Sequence, residues 1–188
     1  MGLDAEKYQE SILFFLNHCN DEQLNRVKLA GLLYFLDFDH FEQHDRSVTG
    51  DTYARTTAGP VPEHLDDLLD LLAREGHLLR QTAVVFDYAQ ERFIALAEPH
   101  PECLSDTELE TLQAICRDWA AATAEEVAAA ARREEPWQAV ADGEEIPLAY
   151  AYYRDKFADQ STDLIVEQEH SAEQYPSSLA SGAESVVP

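Results

Sequence analysis

KLAGLLYFLDFDHF, residues 28–41, is apolar on most sides of a helix, and a helix of that kind must be surrounded by others. The segment around it, about residues 22–43, is therefore expected to form the central helix of the fold. Asp37 stands inside this apolar run, where an unpartnered carboxylate would be costly to bury. It needs donors from elsewhere in the chain or an opening to water. Two roles fit. It caps the amides of the turn at residues 49–53 and ties the helix to that turn, or it faces a basic group on a partner.

Outward from this helix, Tyr8, Ile12, Phe15, Leu16 and Cys19 recur at three-to-four spacing and predict an amphipathic helix over residues 3–19, broken by Asn20 and Asp21. After the central helix come a turn at residues 47–50 and a short extended or irregular stretch with Thr49, Tyr53 and Thr57. That stretch closes at Gly59, Pro60, Val61 and Pro62. Pro62 suits the first position of a third helix, with Leu65, Leu68, Leu69 and Leu72 as its stripe and Gly76 at its end. Between residues 77 and 97, β-branched and aromatic residues flank Gln90 and Glu91, a hairpin with its turn at that polar pair.

Ser105 with Glu108, and Thr123 with Glu126, make two capping boxes, each opening a helix. The first helix carries Leu109, Leu112, Cys116 and Trp119. The second is alanine-rich, with Val127 as its one sizeable anchor, so it must lean on its neighbours. Trp137 falls on a short turn after Pro136, and Pro147 is placed to start a last helix with Leu148, Tyr152 and Phe157. The fold class expected is α+β, mainly α-helical: a single compact domain of about six helices with a small β-hairpin. The domain is expected to span residues 1–159. Residues 160–188, acidic and free of lysine and arginine, read as a disordered acidic tail whose apolar patch is Leu164, Ile165 and Val166.

Bulk composition bounds the function. Thirteen basic against 37 acidic residues give a net charge of −24, which repels phosphate backbones and anionic lipid. Direct nucleic-acid or membrane binding is not expected. The acidity suits solubility alone, or attraction to a basic partner. Three cysteines without paired spacing, Cys19, Cys103 and Cys116, fit reduced thiols in a cytoplasmic protein. The chain shows no signal peptide pattern and no apolar run of membrane-spanning length. His40 and His44 lie one turn apart beside Asp37 and Asp45, yet no established metal spacing is present, and surface or helix-end histidines are expected. Neither a phosphate-cradling glycine loop nor a nucleophile in an elbow or triad context is found, so no catalytic residue, cofactor or metal is assigned.

Four pieces, in order, carry a family likeness: Lys28-Leu29; Leu32-Leu33-Tyr34-Phe35-Leu36-Asp37-Phe38; Thr49-Gly50-Asp51-Thr52-Tyr53; and Gly59-Pro60-Val61-Pro62. The run over residues 104–110, Glu135-Pro136-Trp137 and Gly143-Glu144-Glu145-Ile146-Pro147 continue it. Together they resemble the Panacea domain, the SocA-like antitoxin domain, over roughly residues 24–153. One departure is Arg132 or Arg133 where family members often carry a histidine before the tryptophan.

The resemblance implies a non-enzymatic antitoxin that neutralises a cognate protein toxin by direct contact. It also implies a second task as a proteolytic adaptor to a ClpXP-type protease. Lys28, Tyr34, Asp37, Gly50, Tyr53, Gly59, Pro60 and Trp137 are the family-motif positions expected to act as interface residues or core anchors. Tyr53 fits either role. A prophage-derived regulatory or adaptor protein with the same domain and no toxin is the alternative. A winged-helix DNA binder fits less well, since the hairpin holds only Arg80 and Arg92 as basic residues.

Overall fold

The central helix forms where the apolar run demands it. In the structure, a computed structural model, α2 spans Arg26–His44, and every residue from Leu29 to Phe38 is buried. Residues 2–19, 24–85 and 88–154 are described, with the backbone alone at residues 83–85 and 88–90. The Asn25 side chain accepts the Lys28 amide at 3.0 Å and opens α2, while Asp45 in the left-handed conformation closes it.

Around α2 pack α1 (Ala5–His18), α4 (Asp106–Trp119) and α5 (Ala124–Arg133), while α3 (Leu65–Arg74) packs against α1. A single turn, α6 (Glu135–Gln138), precedes a final 3-10 segment at Leu148–Tyr153. Both capping boxes form as the sequence predicts, with Ser105 and Thr123 accepting the amides of Glu108 and Glu126. The expected stripe of α1 is buried throughout, and that of α3 likewise. On α4 the buried set is Glu108, Thr111, Leu112, Ile115 and Cys116, with Leu109 and Trp119 only partly covered. The fold is thus α+β and mainly helical, as expected.

α5 reaches the centre because both surfaces are small. A Cβ on Gly31 of α2 would sit 2.5 Å from Val127 Cγ1, so glycine lets the two helices approach. Val127, Ala128 and Ala131 are buried there, the support that an alanine-rich helix requires.

Three expectations are corrected and one open alternative is decided. Of the two readings for residues 53–62, extended or irregular, the extended one holds. These residues form a second hairpin, β1 (Tyr53–Thr56) and β2 (Gly59–Pro62), with Tyr53 opposite Pro62 and Thr56 opposite Gly59. Pro62 therefore ends a strand rather than starting α3; a strand in a two-stranded ribbon has a free edge, where the missing amide proton of proline is harmless. In the larger hairpin, β3 (Leu78–Val85) and β4 (Tyr88–Ala95) join between Val85 and Tyr88, so Gln90 and Glu91 lie inside β4, opposite Ala83 and Thr82. The helix expected from Pro147 is a 3-10 segment among the described residues. The break at Asn20 and Asp21, the place of Phe157, the domain end at residue 159 and the tail at residues 160–188 lie outside the described residues.

Candidate functional site

The motif residues converge on the turn that follows α2. Asp37 is fully buried, and its Oδ1 accepts the amides of Val48 and Thr49, each at 2.8 Å. Its Oδ2 accepts the Thr49 hydroxyl and, at 2.6 Å, the Tyr53 hydroxyl. Among the described residues, the donors that satisfy this carboxylate are amides and hydroxyls, with no cation. Burial pushes the Asp37 carboxyl up to about 6, against the lowering pull of the Thr49 and Tyr53 hydroxyls and the two amides. The Tyr53 oxygen also lies 2.8 Å from the Leu33 carbonyl, so its single proton has two acceptors to choose from. Burial and the nearby Asp37 charge hold the Tyr53 phenol well above its ordinary pKa.

The turn is fixed from both sides. Gly50 adopts φ 71°, and a Cβ there would overlap the Gly2 carbonyl oxygen, so the residues ahead of α1 lie against it. The Asp4 amide reaches the Thr49 carbonyl at 2.8 Å. Asp51, buried next in line, accepts the Thr52 amide at 2.8 Å and the His64 amide at 3.1 Å. Its Oδ1 also lies 2.7 Å from His64 Nδ1, a contact that raises the His64 pKa. Asp37 thus ties α2 to the turn, and Asp51 ties the turn to the start of α3.

Tyr53 leads directly into β1, so this network sets where the small hairpin stands. Arg55 of β1 stacks over the Trp137 ring at 3.9 Å from its centroid and donates to the Trp137 carbonyl at 3.2 Å and to that of Val140. The Arg55 amide donates to Glu144 and the Ile146 amide to Tyr53, which pins residues 144–146 along the hairpin. Gly59 and Pro60, both buried, face α5 and α2. Between the hairpin, the first half of α2 and α5 lies an open groove of about 360 Å³, lined by Val27, Ala30, Gly31, Gly59, Pro60 and Ala128 among others. Its lining is small and mostly apolar, with Arg26 at the rim held by Asp66 at 2.7 Å.

The remaining motif positions act at helix ends and on the far face of α2. Lys28 is fully buried and donates to the Ala120 carbonyl at 2.9 Å, where the end of α4 concentrates negative charge. The Tyr34 hydroxyl donates to Glu134 Oε2 at 3.1 Å. Glu134 in turn meets Arg154, which also pairs with Asp39 and, at 3.5 Å, with Glu42. Sequence reading missed this cluster, as it missed the Arg55 stack and the burial of His40. His40 is not a surface histidine: it meets the Thr111 hydroxyl at 3.0 Å, and burial with the neighbouring His44 pushes its pKa down to about 4.

Compared with known families, residues 29–138 match the antitoxin SocA-like family, Panacea domain. The chain belongs to that family. The Panacea match runs from the first buried turn of α2 to the end of α6, and so takes in Asp37, the whole β1–β2 hairpin, Trp137 and the groove lining except Arg26 and Val27. Lys28 stands one residue ahead of it. α1, whose approach holds Gly50 in place, and Arg154 lie outside the Panacea match. Comparison with curated proteins and with solved structures returned no match.

Proposed function

We propose that this chain is an antitoxin that neutralises a protein toxin by direct, non-catalytic binding. Its membership of the SocA-like antitoxin family over residues 29–138 carries this reading. The net charge of −24 supports a basic toxin, which it would steer into contact. In this reading Lys28, Tyr34, Asp37, Gly50, Tyr53 and Trp137 are anchors, and the surface that they hold up, the β1–β2 hairpin and its groove, meets the toxin. Residues 1–159 form the toxin-binding domain and residues 160–188 an appended acidic segment, available for delivery to a ClpXP-type protease.

Co-expression with the neighbouring open reading frame tests the reading. Growth should stop when that neighbour is expressed alone and recover when this chain is added; a neighbour harmless by itself overturns the antitoxin assignment. Ala58→Arg, on the exposed rim of the groove, tests the surface. A folded variant that no longer rescues growth supports the groove, and full rescue moves the contact elsewhere.

A further inference from the structure

Two of the three cysteines meet inside the molecule, although 97 residues separate them. Cys19 caps the C-terminal end of α1, and Cys116 lies on the buried face of α4. Both are buried, at 0% and 8% exposure, and the Cys19 thiol points at the Cys116 sulfur from 2.6 Å. A disulfide bond measures about 2.05 Å, so the sulfurs need to close by only about half an ångström. Cys103 lies apart from the pair, on the 3-10 segment Pro101–Cys103.

The helices carrying the pair are already held in register. At the start of α1, Lys7 Nζ meets Glu108 Oε1 of the first turn of α4 at 2.6 Å. Lys7 precedes Cys19 on α1 as Glu108 precedes Cys116 on α4, so the two helices run in the same direction, with an ion pair at one end and two thiols at the other. Little motion is left for the sulfurs to find each other.

We infer that Cys19 and Cys116 form a reversible intramolecular disulfide that locks α1 to α4. The co-reactant is a low-molecular-weight disulfide such as oxidised glutathione. One thiol, Cys116 being the less covered, gives its proton to water, and its thiolate attacks one sulfur of the small disulfide. A small thiolate leaves and takes up a proton. Cys19 then loses its proton and attacks the Cys116 sulfur, the new bond forms, and a second small thiol departs. The two cysteines lose two electrons, which the small disulfide gains as two thiols.

The contact with Cys19, together with burial, holds the Cys116 thiol above its ordinary pKa. The reaction is therefore slow in the closed protein and quicker whenever the end of α1 lifts. Once formed, the bond closes a loop of 97 residues around α2, the hairpins and α3, which restricts the unfolded chain strongly. The inference stands whether or not the chain neutralises a toxin.

Refolding the full chain from urea in a buffer of reduced and oxidised glutathione tests it, because access to buried sulfur then sets no limit. After alkylation, peptide mapping should find Cys19 joined to Cys116 as the dominant pairing, with Cys103 alkylated. The oxidised protein should melt about 5 to 10 °C above the reduced one, and dithiothreitol should abolish the difference. Cys103→Ser should behave in the same way. A refolded native chain with all three cysteines alkylated, or a dominant bond to Cys103, overturns the inference.

Discussion

Two carboxylates two residues apart on α2, Asp37 and Asp39, are withdrawn from water by opposite means. Asp37 faces the motif turn and is satisfied by two amides and two hydroxyls, with no cation among those bonds. Asp39 faces the other way, into a cluster where Arg154 also binds Glu42 and Glu134. In both cases burial raises the carboxyl pKa, but only around Asp39 does a positive charge pull it back. Burial likewise works against the charge on Arg154, and its acidic neighbours, Glu134 first, more than offset this. A neutral cage is directional: each donor comes from a fixed backbone position, so it specifies the turn. The ionic cluster tolerates movement and joins the end of the described chain to α2 and α5 by charge.

The contrast breaks most sharply at Asp37. Asp37→Ala removes the acceptor of two buried amides and of the Thr49 hydroxyl, leaving the Tyr53 hydroxyl only the Leu33 carbonyl, and should cost about 3 to 4 kcal/mol in urea unfolding at neutral pH. Asp37→Asn should cost less than about 1 kcal/mol. Its oxygen can accept both amides, and its NH₂ can donate to the Thr49 and Tyr53 oxygens, leaving the Tyr53 proton for the Leu33 carbonyl. Equal losses in the two variants would show that the charge, not the geometry, is what the turn requires.

Acid titration sharpens the same point with nearly the same magnitude. The folded pKa of Asp37, about 6, lies above its ordinary 3.8, so between these values the folded chain binds more protons than the unfolded one. Stability from this group is thus fully present below about pH 4 and is lost as the pH rises through 6, a change of about 3 kcal/mol. Subtracting the pH profile of Asp37→Asn from that of the wild type isolates it. A difference that is flat from pH 4 to 7 would rule out the raised pKa.

The two sites differ as much in legibility as in chemistry. Asp37 stands out in the sequence because its neighbours are apolar, and its cage lies only 11 to 16 residues downstream, within reach of local reasoning. The Arg154 cluster spans 20 to 115 residues, and in a chain with 37 acidic residues no single carboxylate announces its partner. The capping boxes were readable because each is a four-residue pattern with its own hydrogen bonds. The β1–β2 hairpin was not, since two prolines in four residues look like a loop unless the strand is known to have a free edge. Gly31 gave no signal because a glycine in a helix looks like a weakness until the opposing Val127 is in place.

Arg154→Met removes the cation from the ionic cluster and leaves the carboxylates of Asp39, Glu42 and Glu134 facing one another. These are 20 to 30% exposed, so water relieves part of the repulsion. The loss should be about 2 kcal/mol at pH 7, below the 3 to 5 kcal/mol of a fully buried pair. It should shrink as the pH falls and the carboxyls take up protons, whereas the loss in Asp37→Ala should grow in acid, because the wild-type carboxyl gains stability as it takes up its proton. A deficit in Arg154→Met that stays constant from pH 7 to pH 4 would mean that the side chain acts by packing rather than by charge.

Tyr34→Phe probes the cluster most gently. The Tyr34 ring lies 4.2 Å from Phe38 and 5.8 Å from Tyr53, centroid to centroid, so phenylalanine keeps the aromatic contacts that join the two sites. Only the donation to Glu134 at 3.1 Å is lost, and Arg154 remains on the same carboxylate. The expected cost is about 0.5 to 1 kcal/mol. Paired with Arg154→Met in a double-mutant cycle, it should cost more than it does alone, because Glu134 would then lose both of these donors. Strict additivity would separate the tyrosine from the ionic cluster and leave it as a packing residue between Phe38 and Tyr53.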